Sequence, residues 1–328
     1  MQNMKNIAMH VQYSGIHLIP LIANTPFDSS FIVEYDDLLN KHGVETLQQK
    51  LKEASNHDSI IICRIFEHIH EPQELTELNN YLEEHGIKHK SVVFDNTYNE
   101  SLFEKYNIKH IVAPFYLWCL LRDIGRTIPT WSPKPEYHFL CLNNFHKPHR
   151  QKVIQKLHDT KMIDKTLWSY RQAIPDAGFT TPTFIDQSTG EFDQNQNLDH
   201  LYSKCLYTIV TETDYADHKF PHATEKSLSA LFYGTIPIIV GAPGTVSLLK
   251  KWGLDMFEDI VDQSYDNIPD DDARLEKIFE ILERLSVGID LDRVKNMLPL
   301  RILRNQLLLN DRNYWLNYIQ SILLTKEK

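Results

Sequence analysis

Cysteine is scarce in this chain of 328 residues, and its spacing excludes two of the residue's common uses. The four cysteines are Cys63, Cys119, Cys141 and Cys205. No two of them have the short spacing of a zinc site or of a CxxC redox motif. Each lies in an apolar run, where a free thiol behaves as a small core side chain. We therefore expect buried thiols in a protein of a reducing compartment.

Long apolar runs are absent as well. No run reaches the roughly 18 residues that a membrane-spanning helix needs. Residues 1–11 also lack the basic-then-apolar order of a signal peptide. These two absences predict a soluble, cytoplasmic protein without a membrane span.

Positive charge is in deficit. The chain has 34 Lys and Arg against 44 Asp and Glu, which gives a formal net charge of −10. This balance excludes a generally basic surface for nucleic acid, although it is compatible with a local basic cleft. A nucleic-acid partner is disfavoured without being excluded, and an anionic ligand would be met by a few well-placed cations.

The composition that is present is typical of a folded globular protein. Hydrophobic residues make up 42% and charged residues 24%, with 11 Gly and 15 Pro scattered along the chain. This excludes disordered, collagen-like and low-complexity classes. The length fits about two domains at roughly 150 residues each.

Apolar strands and amphipathic helices alternate along the chain. Strands are predicted at 14–23, 58–66, 90–95, 108–113, 137–143, 205–211 and 235–240. Helices are predicted at 37–54, 73–85, 99–106, 149–159, 225–233 and 245–252, with a largely helical tail over 274–325. Alternation of this kind predicts an α/β fold, with parallel sheets covered by helices.

A proline-rich stretch at 127–135 separates two alternating blocks. Proline keeps the preceding residues extended and interrupts helices, so we place the domain boundary here. We predict two Rossmann-like domains facing a cleft, at 1–128 and 136–300, and a C-terminal helix over 301–328 that packs across them. Ligands of open α/β sheets bind beyond the carboxyl ends of the strands, so the loops there are where chemistry is expected.

The first candidate loop leads from the strand at 137–143 into the helix at 149–159. Asn143 ends the strand, and Lys147 and Arg150 place two cations at the start of the helix. A cation there opposes the helix dipole unless an anion neutralises it. Arginine suits a diphosphate because its planar fork forms paired hydrogen bonds to phosphate. A solvated basic helix start is the alternative interpretation.

The second candidate loop follows the strand at 205–211. Glu212 and Tyr215 lie in this loop, and Thr224, Glu225 and Lys226 open the next helix. Capping explains Thr224 and Glu225, since a hydroxyl and a carboxylate both stabilise a helix N-terminus. It does not explain Lys226. A ribose needs a carboxylate acceptor for its hydroxyls and a diphosphate needs a cation beside it, which is what Glu225 followed by Lys226 provides.

A third segment contains Gly234, a buried strand and a Gly/Pro turn that begins at Gly241. Such a turn lets the backbone approach a ligand closely, but turns of this kind commonly connect the strands and helices of any α/β fold.

Together these segments resemble a known family. The run TEKSLSALFYGTIPIIVGAPG over 224–244 is similar to the donor-binding signature of the α-1,3-fucosyltransferases, and FLCLNNFHKPHRQKVIQKL resembles the strand, loop and Arg-bearing helix that open the same domain. The connection between Thr213 and Glu225 is longer than in that family. The helix after Lys226 also lacks the family's aromatic–Arg–Asn run.

The resemblance implies a two-domain glycosyltransferase of the GT-B type, inverting and without an obligatory metal or other cofactor. Its 136–300 domain would bind a nucleoside-diphosphate sugar, with a GDP-sugar favoured, and its 1–128 domain would hold the acceptor. Arg150 would contact the diphosphate, Glu225 the ribose and Lys226 the phosphates. The full set expected at the donor is Asn143, Lys147, Arg150, Glu212, Tyr215, Thr224, Glu225, Lys226 and Gly241.

The catalytic base is expected from the other domain. Inverting transfer needs a carboxylate or imidazole that takes the proton of the acceptor hydroxyl. Glu67 follows the strand at 58–66 most directly, His68 and His70 come next, and Asp95 ends the following strand. Each is also interpretable as a solvated loop residue. The two histidines suggest a metal site, but no third ligand is identifiable and none is predicted.

The acidic run over 270–272 resembles a DxD metal motif. Acidic residues also begin helices naturally, and we favour that interpretation here.

The leading function is therefore transfer of a sugar, with fucose as one candidate, from the nucleotide sugar to a hydroxyl of a glycan or other acceptor. One alternative is a non-catalytic protein that binds nucleotide sugars or glycans. Another is a glycosyltransferase acting on hydroxymethylated DNA bases. The net charge disfavours the DNA acceptor unless Arg122, Arg126 and Lys134 form one local basic surface.

Overall fold

The chain forms two compact units, Met1–Trp118 together with Arg312–Lys328, and Cys119–Asp311. The computed structural model describes residues 8–9, 31–34, 60–63, 72–95, 100–112, 128–129, 135–143, 146–170, 198–213, 215, 221–287, 296–311, 313–315, 317–318 and 321. The units divide the chain earlier than the proline-rich stretch and again between residues 311 and 312. The functional domains at 1–128, 136–300 and 301–328, and the cleft between them, stay predictions.

The first unit contains a parallel sheet of five strands. They are β1 (Ala8–Met9), β2 (Phe31–Glu34), β3 (Ile60–Cys63), β4 (Ser91–Asp95) and β5 (Lys109–Val112). Two helices accompany them, α1 (Pro72–Glu84) and α2 (Glu100–Lys105). The strands lie in sequence order, each paired in parallel with the next. The predicted strand at 14–23 and helix at 37–54 lie outside the described residues.

Apolar periodicity explains the packing of this unit. Leu75, Leu78 and Leu82 recur at helical spacing on α1 and are fully buried. They belong to one core cluster with Ile60 and Ile62 of β3. Alternate residues of a strand share a face, so this face of β3 is the one that packs in the core.

The second unit is built on a parallel sheet of four strands. They are β6 (Tyr137–Asn143), β7 (Thr166–Tyr170), β8 (Cys205–Thr211) and β9 (Ile236–Val240). The helices are α3 (Pro148–Asp159), α4 (Asp199–Tyr202), α5 (Glu225–Phe232), α6 (Thr245–Lys251), α7 (Asp271–Ser286) and α8 (Leu298–Asn310). Every residue of β8 and β9 is buried, as expected for parallel strands covered on both faces. The predicted α/β fold with parallel sheets is thus confirmed in both units.

The strand order of the second sheet contains a reversal. The order is β7-β6-β8-β9, so the chain moves outward from β6 to β7 and then returns to place β8 on the other side of β6. At such a reversal, the loops that leave two neighbouring strands diverge and open a crevice at the carboxyl edge. Among the strands that the structure describes, the first sheet has no reversal. The second sheet is therefore where this rule places a ligand.

Both cysteines of the second unit whose side chains are described are free and buried, as predicted. Burial raises the pKa of the Cys141 thiol to about 12, against smaller opposing effects of Asn143 and Arg150. Cys63 ends β3, and its side chain, like Cys119, lies outside the described residues. Within the described part of the chain, no helix is both long and apolar enough to cross a membrane.

Gly244, the N-cap of α6, has a backbone conformation that only glycine adopts easily. Its φ is 83°, and an added Cβ would lie 2.8 Å from Cγ of Pro221. We expect Gly244→Ala to lower the free energy of unfolding by about 2–4 kcal/mol, because backbone strain and a clash add together. Gly86 is the matched control, since its φ is 64° but its Cβ would meet nothing within 4 Å. Urea unfolding should show a loss of only about 1 kcal/mol for Gly86→Ala, and equal losses would contradict the clash.

An ion pair joins α8 to the segment that follows α6. Arg301 donates from Nε and Nη2 to the two carboxylate oxygens of Asp255, at 2.6 and 2.8 Å. Burial alone would raise the pKa of Asp255, but the hydrogen bonds from Arg301 and from the Phe257 amide outweigh it and lower the pKa. A carboxyl whose pKa is lowered by folding stabilises the fold above its unfolded pKa.

This ion pair predicts a pH dependence. At pH 7, wild type should exceed Asp255→Asn in free energy of unfolding by about 1–3 kcal/mol, the usual contribution of charge-assisted hydrogen bonds. The difference should shrink below about pH 4, as the carboxyl becomes protonated in both states. Urea unfolding at pH 7 and pH 3 measures it, and a difference that does not change with pH would contradict the assignment.

Candidate functional site

The carboxyl ends of β6 and β8 meet at the strand reversal. Asn143 ends β6 and Thr211 ends β8, and the Thr211 hydroxyl donates to Oδ1 of Asn143 at 2.6 Å. Asn143 also contacts Sγ of Cys141 through Nδ2 at 3.4 Å. Both ends of the bridge are buried, at 2% and 1% exposure. Asn143 thus lies at the predicted edge, where its side chain joins the two strands.

The first turn of α3 is tied to the end of β8. Nε2 of His149 donates to the carbonyl oxygen of Glu212 at 2.9 Å, and Nη2 of Arg150 donates to the same oxygen at 3.2 Å. Nη2 of Arg150 also reaches the Thr211 carbonyl at 3.3 Å. Burial lowers the pKa of Arg150, while the charge of Glu212 acts in the opposite direction. A buried cation is therefore fixed beneath the loop that follows β8.

The N-terminus of α3 is electropositive. Lys147 occupies the N-cap with an extended backbone and no side-chain capping bond, and the first turn contains no acidic residue. Helix α7 shows the opposite arrangement, because Asp270 accepts a hydrogen bond from the Ala273 amide at 2.8 Å and two more acids follow. The capping interpretation of 270–272 is thereby confirmed. The start of α3 instead favours an anion, through both its dipole and its cations.

Glu212 holds the end of β8 against the start of α5. Its side chain has no exposed surface, and Oε1 accepts a hydrogen bond from the Thr224 amide at 3.0 Å. The hydroxyls of Thr224 and Ser227 also donate to its carboxylate. A Cβ on Gly241 would lie 3.4 Å from the Glu212 side chain, an ordinary contact, and 3.2 Å from Cγ2 of Ile239, so the glycine relieves crowding mainly against β9. The structure therefore places Glu212 inside the protein, where it positions α5.

Glu225 and Lys226 form an ion pair at the start of α5. Nζ of Lys226 lies 2.9 Å from Oε1 of Glu225, and it donates to the hydroxyls of Thr224 at 3.2 Å and Thr213 at 3.3 Å. Their side chains remain 18% and 30% exposed, respectively. Asn143, Arg150, Glu212, Tyr215 and Thr224, in contrast, are each at most 3% exposed. The ion pair is therefore accessible to a ligand, as is the half-buried Lys147 at the start of α3.

Arg274 is one residue of this region that the sequence did not reveal. Its guanidinium donates to the carbonyls of Gly241 and Tyr215, each at 3.1 Å, and forms an ion pair with Asp271. It also lies 4.5 Å above the Tyr215 ring. The only local signal is its spacing of three residues from Asp271, which predicts the ion pair and not the longer contacts.

Tyr215 contacts its neighbours through both its hydroxyl and its ring. Its hydroxyl donates to the carbonyl oxygen of Asp271, and its ring stacks on His149 with centroids 5.2 Å apart. Burial raises its pKa against the opposing charge of Arg274. Tyr215 therefore packs the loop after β8 against α3 and α7.

Of the predicted catalytic residues, the structure describes only the backbone of Asp95. Asp95 is the last residue of β4 and pairs in register with Val112, so it lies at the carboxyl end of its strand as predicted. Its side chain, together with Glu67, His68 and His70, lies outside the described residues, as do Arg122, Arg126 and Lys134. Among the described residues, no group of three or more His, Cys, Asp and Glu is placed to hold a metal ion.

Comparison with known proteins gives similarities to a protein sequence and to a solved structure. No family model matches the sequence. The chain is 27% identical over 148 residues to the PolC-type DNA polymerase III of Mycoplasma genitalium, which covers 43% of this chain and 10% of the polymerase. This chain thus matches about a tenth of the length of that relative.

The second similarity is to a solved structure, the DNA-modifying enzyme β-glucosyltransferase, crystallised in the presence and absence of its substrate uridine diphosphoglucose. The alignment has a TM-score of 0.45 and 14% identity, and it covers 94% of this chain and 92% of that one. At these levels neither similarity assigns a family or an activity to the chain, and the resemblance to fucosyltransferases stays a prediction.

Proposed function

We propose that this chain is a glycosyltransferase that takes a sugar from a nucleoside-diphosphate sugar and transfers it to an acceptor hydroxyl. The observation that carries the proposal lies at the strand reversal. There, Arg150 contacts the carbonyl of Glu212 and Lys226 contacts the side chain of Thr213, so two cations flank consecutive residues of one loop. A carboxylate, Glu225, lies directly beside the more exposed cation.

This arrangement suits the two polar parts of a nucleoside diphosphate. Lys226 and the electropositive start of α3, with Lys147, receive the diphosphate. Arg150 lies deeper and adds positive potential without leaving its carbonyl partners. The carboxylate of Glu225 accepts hydrogen bonds from the ribose hydroxyls. The buried residues Asn143, Glu212, Tyr215, Thr224 and Gly241 act by fixing the loops that carry these groups.

The same cations give the site a catalytic role. Negative charge develops on the diphosphate as the bond between the sugar's anomeric carbon and the phosphate oxygen breaks, and fixed cations in a shielded site stabilise that charge. The proposal includes an inverting reaction in which Glu67, His68, His70 or Asp95 takes the proton of the acceptor. It also includes a GDP-sugar donor, with fucose as one candidate, which only the sequence resemblance supports.

The proposal is tested by incubating the purified chain with GDP-, UDP- and CMP-sugars, with and without EDTA. Glycans and hydroxymethylated DNA serve as acceptors, and released nucleotide and transferred sugar are both measured. We expect nucleotide to be released from one class of donor. This release should be slow without an acceptor, and it should persist in the presence of EDTA. Binding without any release would identify a non-catalytic nucleotide-sugar binder. A chain that neither binds nor cleaves any donor would overturn the proposal.

A further inference from the structure

The ammonium group of Lys226 is saturated within the protein. A lysine has three N–H donors, and three oxygens lie in range of Nζ: Glu225 Oε1 at 2.9 Å, Thr224 Oγ1 at 3.2 Å and Thr213 Oγ1 at 3.3 Å. Consecutive helical residues normally point in different directions. The ion pair between Glu225 and Lys226 therefore requires both side chains to turn toward each other at the start of α5.

A phosphate that binds Lys226 must take the place of one of these acceptors. The two threonine hydroxyls are neutral and do not repel an anion. The carboxylate of Glu225 does repel it, because both groups are negative and would lie near one ammonium group. Glu225 is also 18% exposed, so it has access to solvent when it leaves Lys226. The displaced partner is therefore Glu225.

Each half of a nucleoside diphosphate, taken alone, disrupts this ion pair at a cost. Inorganic pyrophosphate occupies Lys226 but leaves the Glu225 carboxylate beside a second anion. A nucleoside without phosphates draws Glu225 to its ribose hydroxyls and leaves Lys226 without its carboxylate. A nucleoside diphosphate supplies a new partner to both residues at once.

We propose that the Glu225–Lys226 ion pair is a latch that couples recognition of the ribose to recognition of the diphosphate. The latch selects a complete nucleoside diphosphate over either inorganic pyrophosphate or a free nucleoside. This inference rests on the donor site proposed above and adds a positive coupling between its two halves.

Calorimetric titration of wild type and Glu225→Gln with GDP, UDP and inorganic pyrophosphate tests the latch. The substitution removes the competing anion and weakens the ribose acceptor, so the two ligand types should respond in opposite directions. We expect the nucleoside diphosphate to bind about tenfold more weakly and pyrophosphate about fivefold more tightly, changes at the lower end of typical couplings between linked binding sites. Melting temperatures of both proteins establish that the variant is folded.

Glu258→Gln is the matched control, because Glu258 forms an ion pair of similar length, 2.7 Å, with Lys250 of α6, and this pair is more exposed. It should leave both affinities unchanged. If wild type binds GDP or UDP but Glu225→Gln binds pyrophosphate no more tightly than wild type does, the latch proposal is wrong. The proposed donor site is not contradicted by that result. If wild type binds neither GDP nor UDP, the proposed function fails and the latch fails with it.

Discussion

The Lys226→Ala variant is expected to bind GDP or UDP about 10 to 100 times more weakly than wild type, since a charge-assisted hydrogen bond contributes about 1.5–3 kcal/mol. Lys226 is the partly exposed cation at the start of α5, and its Nζ lies 3.3 Å from the hydroxyl of Thr213 in the loop after β8. Removing it takes away the most direct partner that we propose for the diphosphate. Calorimetric titration with the nucleoside diphosphate measures the change.

Lys250→Ala is the matched control for this substitution. Lys250, in the last turn of α6, also pairs with a glutamate, Glu258, but both side chains of this pair are exposed. Its loss should leave the affinity for the nucleoside diphosphate within a factor of two, because Lys250 is not part of the proposed donor site. An exposed ion pair also contributes at most about 1 kcal/mol to stability, so the control should stay folded. A Lys226→Ala protein that is folded and binds like wild type would show that the diphosphate lies elsewhere.

The Glu212→Ala variant is expected to lower the free energy of unfolding by about 3–5 kcal/mol, because it leaves buried donors without acceptors and creates a cavity. Glu212 has no exposed surface, and its carboxylate receives hydrogen bonds from the amide and hydroxyl of Thr224 and from the hydroxyl of Ser227. These bonds join the end of β8 to the first turn of α5. Urea unfolding followed by circular dichroism measures the loss.

The isosteric Glu212→Gln variant separates the hydrogen bonds from the cavity. The amide oxygen retains part of the acceptor set while the amino group opposes Thr224, so a smaller loss of about 1–2 kcal/mol is expected. Glu258→Ala, on an exposed side chain, should change stability by less than about 0.5 kcal/mol. Were Glu212→Ala as stable as wild type, Glu212 would not hold α5 in place.

The fold of the second unit follows closely from local sequence patterns. The predicted strands at 137–143 and 205–211 coincide with β6 and β8, because fully buried parallel strands appear as continuous apolar runs. β7 was missed. It lies at one end of the sheet order, and its three central residues are only half buried, so the sequence TLWSY has no apolar run to reveal it.

The position of the candidate site was predictable from the sequence, but the role of each of its side chains was less so. Strand ends and helix starts are visible in the sequence, and the rule for parallel sheets places Asn143, Arg150, Glu225 and Lys226 at one edge. The hydrogen bonds that decide which side chains face inward are tertiary. Glu212 and Ser227 are 15 residues apart, and Arg274 and Tyr215 are 59 residues apart. Periodicity indicates which face is buried, but it does not indicate which acceptor a buried side chain reaches.

Hydrogen–deuterium exchange of the whole chain, with and without saturating GDP or UDP, tests the central claim most directly. The account predicts that one of these ligands slows exchange mainly in two segments, 143–150 and 212–226. The first segment contains the end of β6 and the start of α3, and the second contains the loop after β8 and the start of α5. Protection confined to other segments, or no protection by either nucleotide, would contradict a nucleoside-diphosphate site at the strand reversal.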